Sequence, residues 1–252
     1  MALIQINYAS EALACQTNVT VLLPEDPAQM RGERKTYRAL YLLHGLTDDN
    51  LGWFRYTTIE SIVRGTDLAV VMPAVDHGFY TDMVHGHPYF TFVSEELPHY
   101  LDSILPLSPA REDTFVAGNS MGGYGAMKLA LSHPERYAKA AAFSGVLDIQ
   151  DFVDTRHIAG FDPTCAFGED LAVAGTENDV LQLLRDRVAE GADLPGLYLF
   201  CGKGDILLNE SRTFDALCRE LGVPVTYDEG EGEHLWVTWE HHVRELVDWL
   251  LA

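Results

Sequence analysis

The strongest constraint on this chain is the stretch at residues 114–128. It begins with the apolar run 115–117, continues as Gly-Asn-Ser-Met-Gly at 118–122, and passes into helix-forming residues. A G-x-S-x-G motif between a strand and a helix marks a nucleophile elbow, a turn so tight that side chains two residues before and after the serine would collide. The pattern therefore predicts a strained turn with an exposed, nucleophilic Ser120, rather than a glycine-rich turn that merely contains a serine.

Short apolar runs and helix-forming segments alternate along the rest of the chain. The sequence predicts strands at 18–23, 37–43, 68–72, 115–117, 138–143, 197–201 and 223–227, and helices at 95–104, 126–131, 180–189, 211–221 and 239–251. This rhythm is typical of an α/β fold in which a mostly parallel sheet is covered by helices on both faces. We expect residues 1–252 to form a single domain, because this length demands no second one.

Two segments are less regular than the others. Residues 28–36 are polar and predict a turn, whereas residues 145–193 carry acidic clusters around one helical segment. We interpret 145–193 as a small cap-like excursion over the top of the sheet, and we expect it to shape any pocket that lies there.

Two residues late in the chain can activate the serine. A serine nucleophile needs a base, and the base needs an orienting carboxylate; in α/β-hydrolases these follow late strands in the order serine, acid, histidine. Asp205 is the first turn carboxylate after the predicted strand 197–201, in a Gly-rich turn where an Asx turn or a helix N-cap is the alternative role. His234 is the first histidine after the strand 223–227. The sequence therefore predicts a triad of Ser120, Asp205 and His234.

Two further histidines compete with this assignment of the base. His241 and His242 follow closely in the chain, but both fall within the predicted amphipathic helix 239–251, where a solvent-facing position is expected. We therefore assign the base to His234.

An acyl-transfer site also needs two preorganised donors for the oxyanion. The backbone N–H of Met121, the residue after the nucleophile, is one candidate. The other is the backbone N–H of Leu46, in the loop after the predicted strand 37–43, where Gly45 allows close approach of the backbone. His44 in the same loop is expected to brace the loop rather than to act as a second base.

Weaker signals lie in the loops around this predicted site. Among the aromatic residues there, Tyr80 and Trp236 are the candidates for contacting substrate, with simple packing as the alternative. His85 and His87 resemble half of a metal site, but no third ligand is placed with them, so we predict no metal.

Composition narrows the class of partner. A net charge of −21 disfavours nucleic acid and anionic membrane surfaces, and no apolar run approaches the length of a membrane span. The first residues lack the basic and apolar regions of a signal peptide, and the four cysteines have no metal or C-x-x-C spacing. Cys201 and Cys218 are expected to be buried thiols, and we expect a cytoplasmic protein.

Several motifs together resemble the esterase D family of α/β-hydrolases, and most closely its tributyrin-esterase-like branch. The resemblance runs almost end to end and is carried by M-A-L-I-Q-I-N at 1–7, L-H-G-L-T-D-D at 43–49, Y-T-D-M at 80–83, Y-F-T-F-V-S-E-E-L-P at 89–98, G-N-S-M-G-G-Y-G at 118–125 and G-E-H-L-W at 232–236. It implies an α/β-hydrolase fold and a cytoplasmic, cofactor-free serine carboxylesterase acting on small short-chain acyl esters. Members of this family often form dimers or tetramers.

The resemblance also implies roles for individual residues. It places the nucleophile at Ser120, the acid at Asp205, the base at His234, and the oxyanion donors at Leu46 and Met121. The related S-formylglutathione hydrolases usually carry S-G-L-T-C at the oxyanion loop and D-H-S-Y around the base, where this chain has H-G-L-T-D and E-H-L-W. A thioesterase of that type remains the main alternative. An acyltransferase and a catalytically silent binding module are the others.

Overall fold

An eight-stranded sheet lies at the centre of the computed structural model, which describes residues 1–26, 31–32 and 35–252. Its strands are β1 (Ala2–Ser10), β2 (Cys15–Leu23), β3 (Arg38–Leu43), β4 (Leu68–Pro73), β5 (Thr114–Asn119), β6 (Lys139–Phe143), β7 (Gly196–Gly202) and β8 (Val225–Gly230). They lie in the order β1-β2-β4-β3-β5-β6-β7-β8. The β1–β2 and β2–β4 pairs are antiparallel and the other neighbouring pairs are parallel, which confirms the predicted, mostly parallel sheet.

The central strands are buried on both faces because their side chains feed two separate cores. In β3, Ala39, Tyr41 and Leu43 pack into one core. The alternate residues Leu40 and Leu42 pack into the other core, on the opposite face. This explains the uninterrupted apolar runs, which are typical of parallel strands covered on both sides.

Helices cover both faces of the sheet. They are α1 (Gly52–Tyr56), α2 (Ile59–Val63), α3 (Tyr89–Thr91), α4 (Leu97–Ile104), α5 (Met121–Ser132), α6 (Ile149–Thr155), α7 (Pro163–Phe167), α8 (Val180–Ala189), α9 (Leu208–Leu221) and α10 (Trp236–Leu251). A π-helical segment, Phe92–Glu96, joins α3 to α4. Helices α1, α2 and α10 pack on the face that carries Leu40, and buried residues of the other helices pack on the opposite face.

The boundaries differ from the predicted ones at several places. The sequence analysis gives no strand at β1, an edge strand whose side chains are alternately exposed and half-buried. The π-helical segment takes in residues 95 and 96 of the predicted helix 95–104, so the α-helix begins at Leu97. The predicted closing helix begins at Trp236 rather than at 239. Most of the predicted turn at 28–36 lies outside the described residues.

Residues 145–193, the cysteines and the helix lengths can be compared with the remaining predictions. Residues 145–193 contain α6, α7 and α8, and the end of α6 lies over the carboxyl ends of the strands, where it lines a cavity with Ser120. Cys201 and Cys218 are buried free thiols, as expected. In the part of the chain that the structure describes, no helix has the length and apolarity needed to cross a bilayer.

A buried lysine connects the cap-like excursion to the helix behind the predicted nucleophile. Lys128 on α5 is 2% exposed, and its Nζ donates to Thr81 Oγ1 at 3.0 Å and to Asn178 Oδ1 at 2.5 Å. Burial lowers the pKa of Lys128 to about 7, and the charges of Glu177 and Asp82 offset this only in part. The neutral amine is therefore accessible near physiological pH.

Replacing this lysine should alter how stability depends on pH. The folded pKa of Lys128 lies below the unfolded value of 10.5. The cost of burying the charge is therefore full below pH 7 and disappears as the pH rises towards 10.5. Relative to Lys128→Met, the unfolding free energy of the wild type should rise by about 1.4 kcal/mol per pH unit between these limits. Denaturant unfolding at pH 7.5, 8.5 and 9.5 measures this difference in unfolding free energy, and Lys203→Met, at an exposed lysine, is the control. Parallel pH profiles for Lys128→Met and wild type would contradict the prediction.

Candidate active site

The backbone at Ser120 is strained. Ser120 lies between β5 and α5 with φ 54° and ψ −118°, a conformation that non-glycine residues rarely adopt. A Cβ on Gly118 would overlap the backbone of Gly122, and a Cβ on Gly122 would overlap the carbonyl of Leu43 in β3. Only glycine fits at both positions, so the turn has the geometry expected of a nucleophile elbow.

A continuous chain of hydrogen bonds joins Ser120, His234 and Asp205. The Nε2 atom of His234 lies 3.0 Å from Ser120 Oγ, and its Nδ1 atom lies 3.0 Å from both carboxylate oxygens of Asp205. Because a carboxylate only accepts, Nδ1 carries the proton and Nε2 accepts from the serine hydroxyl. This arrangement suits His234 to take a proton from Ser120 and Asp205 to hold the imidazole in the required tautomer.

Asp205 is buried but kept ionised by its partners. Burial alone would raise its pKa, but the hydrogen bond and charge of His234, together with hydrogen bonds from the Leu207 N–H and the Ser144 hydroxyl, outweigh burial and hold the pKa of Asp205 below its usual value. The Leu207 N–H donates to Asp205 Oδ1 at 2.8 Å. The acid is therefore ready to stabilise a positive charge on His234.

Two residues that the sequence analysis did not identify support this acid–base pair. The ring of Trp239 packs edge-on against His234, with centroids 5.0 Å apart, and its Nε1–H donates to Ser144 Oγ at 3.0 Å. Ser144 is fully buried at the end of β6 and has a positive φ of 47°. Neither residue belongs to a motif, so their roles follow only from the packing of α10 against the strand ends.

The loop after β3 lies beside the nucleophile. An added Cβ on Gly45 would lie 3.5 Å from Ser120 Cβ, so the backbone of this loop approaches the serine closely. Neither the Leu46 N–H nor the Met121 N–H donates a hydrogen bond to any residue that the structure describes. Within the described residues both N–H groups are therefore unengaged, as their predicted role as oxyanion donors requires.

His44 braces this loop, as the sequence predicts. Its Nε2 accepts from the Val75 N–H at 3.1 Å, so Nδ1 carries the proton and donates to the Gly45 carbonyl at 2.7 Å. Burial lowers the pKa of His44, which keeps the ring neutral. With both ring nitrogens engaged, His44 is not free to act as a second base.

The prediction that Tyr80 contacts substrate is wrong. Tyr80 is fully buried, is absent from the cavity that contains Ser120, and donates its hydroxyl proton to the His44 carbonyl at 3.0 Å. Its ring fills the space that a side chain at Gly125 would need. Tyr80 therefore packs behind the loop after β3 and does not face the cavity.

A cavity of about 600 Å³ opens above the triad. Its lining comes from the oxyanion loop, the elbow, the end of α6 and the acid and base loops: Gly45, Leu46, Thr47, Asp48, Asn119, Ser120, Phe152, Thr155, Arg156, His157, Ile158, Ile206, Leu207, His234, Leu235, Trp236 and Trp239. Trp236 lines the cavity, as its prediction as a substrate contact requires, and its Nε1–H donates to Asp48 Oδ1 at 3.3 Å. The volume suits a small ligand.

A separate cluster could hold a metal ion. In the described residues, ligand atoms of Asp228, His242 and Glu245 lie within 4.8 Å of one another. Asp228 and Glu245 are exposed, and His242 Nδ1 is already 2.9 Å from Glu245 Oε2. The cluster does not line the cavity above the triad and includes neither His85 nor His87.

Comparison with known proteins identifies similar esterases and serine hydrolases. The chain matches the "Putative esterase" family over residues 10–249. It is 29% identical to an acetyl esterase of Caldicellulosiruptor saccharolyticus, over 99% of this chain and 98% of that protein. FphF, a fluorophosphonate-binding serine hydrolase of Staphylococcus aureus solved with substrate bound, has a TM-score of 0.96 at 36% identity, covering 100% of this chain and 98% of that one. The S-formylglutathione hydrolase FrmB of the same species has a TM-score of 0.92, also at 36% identity, covering 100% and 99%.

The fold and these similarities define a serine hydrolase of the α/β-hydrolase class that acts on carboxylic esters. The family match covers most of the chain, and the chain therefore belongs to the esterase family, as the resemblance to esterase D indicates.

Adding a single methyl group at the elbow should disable the protein. Gly122→Ala forces a Cβ into the Leu43 carbonyl, which should lower the unfolding free energy by roughly 2–4 kcal/mol and remove most esterase activity. Gly196→Ala, at the start of β7, is the matched control, since its Cβ would meet neighbours only at 3.5 Å or more. Urea unfolding and ester hydrolysis measure both effects; equal behaviour of the two variants would contradict the steric account.

Proposed function

We propose that this chain is a serine carboxylesterase that hydrolyses short-chain acyl esters through an acyl-enzyme on Ser120, with residues 1–252 acting as one catalytic domain. The observation that carries the proposal is the chain of 3.0 Å contacts from Ser120 through His234 to the buried Asp205, at the base of an open cavity. The proposed chemistry uses only groups of this chain.

In the acylation step, Ser120 Oγ attacks the ester carbonyl as its proton passes to His234 Nε2. Asp205 stabilises the imidazolium that forms, and the backbone N–H groups of Leu46 and Met121 receive the developing oxyanion. When the tetrahedral intermediate collapses, the Nε2–H protonates the leaving alcohol, so the alcohol departs neutral and the acyl group stays on Ser120.

In the deacylation step, water takes the place of the alcohol. His234 removes a proton from the water, which attacks the acyl carbonyl, and the same two N–H groups stabilise the second oxyanion. Collapse releases the carboxylic acid and returns the proton to Ser120. Because the oxyanion donors belong to the backbone, they need no reorganisation during either step. Loss of one such donor lowers kcat by roughly 10²–10³-fold.

A short acyl group is supported by the cavity and by a relative. Leu46, Trp236 and Trp239 line the cavity together with Ser120, and we propose that they limit the acyl group to a short chain. The full-length relative named an acetyl esterase agrees with this size. We also propose a cytoplasmic location, in keeping with four free cysteines, and a homo-oligomeric state like that of many esterase D proteins.

The second candidate function is that of an S-formylglutathione hydrolase, which the similarity to FrmB favours. Rates on p-nitrophenyl acetate, butyrate, octanoate and ferulate, measured beside S-formylglutathione, distinguish the two functions. Acetate or butyrate should be the fastest esters. A dominant thioester rate would favour the second candidate, ester exchange with added alcohol would reveal an acyltransferase, and silence on every substrate would favour a binding module.

Removing the proposed base should abolish turnover while a neighbouring histidine is dispensable. His234→Gln should lower kcat for p-nitrophenyl acetate by about 10⁴-fold, because Ser120 then lacks a proton acceptor. His241→Gln is the matched control, since His241 is exposed on α10, and it should stay within about twofold of wild type. A large loss in both variants would contradict the assignment.

The nucleophile has its own signature in the first turnover. Wild type should release a burst of p-nitrophenol when acylation outpaces deacylation, and Ser120→Ala should release none, because no acyl-enzyme can form. Rapid-mixing absorbance measurements test this, and mass spectrometry of quenched wild type locates the acyl group. Full activity in Ser120→Ala would reject the proposed nucleophile.

A further inference from the structure

One cation in the cavity wall is not used by the proposed machinery. Arg156 directly follows α6 and lines the cavity together with its neighbours His157 and Ile158. Among the residues that line this cavity, Arg156 is the only lysine or arginine. A fixed positive charge in the pocket of a chain with a net charge of −21 suggests a role in recognising substrate.

Arg156 is held by the loop that carries Asp205. Its Nη2 donates to the carbonyl of Ile206 at 2.8 Å, and Ile206 follows Asp205 directly. The carboxylate of Asp48, which also lines the cavity, lies in the loop after β3 and accepts from Trp236. The wall of the cavity therefore carries groups of opposite charge.

The charge of Arg156 is not neutralised by an ion pair. Many other arginines of the described residues pair with a carboxylate: Arg38 with Asp67, Arg64 with Glu60, Arg111 with Asp193, Arg187 with Glu190, Arg212 with Glu229 and Arg219 with Asp215. Arg156 forms no such pair within the described residues, and its Nε has no hydrogen-bond partner there.

Glu210 is the buried carboxyl group that interacts electrostatically with Arg156. It is 3% exposed and accepts a hydrogen bond from the Asp148 N–H at 3.3 Å. Burial raises the pKa of Glu210 to about 8, so its carboxyl group is protonated, and therefore neutral, in most molecules at neutral pH. The guanidinium therefore keeps its charge available to a ligand in the cavity.

We propose that Arg156 determines specificity by selecting esters whose leaving alcohol carries a carboxylate. The inference rests on the proposed esterase function. His234 must stand beside the leaving oxygen in order to protonate it. Because Arg156 is bonded to the residue that follows Asp205, the partner of His234, we place the alcohol part of the substrate on the side of Arg156. A guanidinium attracts a carboxylate through charge-assisted N–H donors, and it overcomes locally the repulsion of an anion by an acidic protein.

The test compares 4-acetoxybenzoate with its methyl ester, in which the negative charge of the leaving group is removed, and follows release of the phenol. For Arg156→Gln, kcat/KM on 4-acetoxybenzoate should fall by about 10–100-fold, mainly through KM, while the methyl ester should change by less than about threefold. Arg156→Lys should recover part of the preference. Arg185→Gln is the matched control, because Arg185 is exposed on α8, does not line the cavity, and changes the net charge equally.

A second pair of substrates locates the recognised anion. Mono-4-nitrophenyl glutarate carries its carboxylate in the acyl part, and 4-nitrophenyl valerate is its neutral counterpart. Arg156→Gln should leave the ratio of these two rates unchanged. A larger effect here than on 4-acetoxybenzoate would overturn the assignment of Arg156 to the alcohol side.

Further measurements distinguish a folding defect of Arg156→Gln from a loss of substrate recognition. If Arg156→Gln does not fold, inhibition of wild type by 4-hydroxybenzoate and by its methyl ester replaces it, and equal inhibition by the two would overturn the inference. Equal losses in Arg156→Gln and Arg185→Gln would also overturn it. An unchanged charge preference beside Ser120-dependent hydrolysis of the methyl ester rejects this inference but keeps the esterase; no hydrolysis of any ester rejects both.

Discussion

The contact between Gly122 and the end of β3 is the constraint on which the rest of the site depends. Because no side chain fits between Gly122 and the carbonyls of Leu43 and His44, the start of α5 presses directly on the strand that leads into the oxyanion loop. One contact thus links the strained turn at Ser120 to the loop that contains Leu46. The strain of such a turn, about 1–3 kcal/mol, is carried by the parallel pairing of β3 with β5.

The acid and the base are positioned by a second, independent contact. The loops after β7 and β8 bond to each other: the Lys203 N–H donates to the Gly230 carbonyl and the Gly204 N–H donates to the Gly232 carbonyl, each at 2.8 Å. The separation of Asp205 from His234 is therefore set within one pair of strands. The Ser120 N–H donates to the Phe143 carbonyl in β6, which connects this pair to the nucleophile through the sheet.

The sequence predicts the position of a site residue where a local motif determines it. It does not do so where the position depends on packing between distant segments. The sequence brings Ser120, Asp205 and His234 together because each follows an apolar run, and the carboxyl ends of parallel strands meet at one edge of the sheet. The prediction of a substrate contact for Tyr80 is wrong because its side chain points inward. That direction depends on the positive φ of Tyr80 and on the space beside Gly125, and the loop sequence reveals neither. The supporting Ser144 has no motif, and β1 is visible only as a weak alternation of half-buried residues.

In the proposed mechanism, chemistry and substrate selection are carried by different parts of this chain. Ser120, Asp205 and His234 follow the ends of β5, β7 and β8, strands whose spacing the hydrogen bonds of the sheet fix. The cap-like excursion reaches the same cavity through the end of α6, where Arg156 donates to the Ile206 carbonyl. Since this link is made by a side chain rather than by the sheet, changes at the end of α6 can alter the charge and shape that a substrate meets while Ser120 and His234 stay in place. Substrate choice in such a fold is therefore free to diverge faster than mechanism.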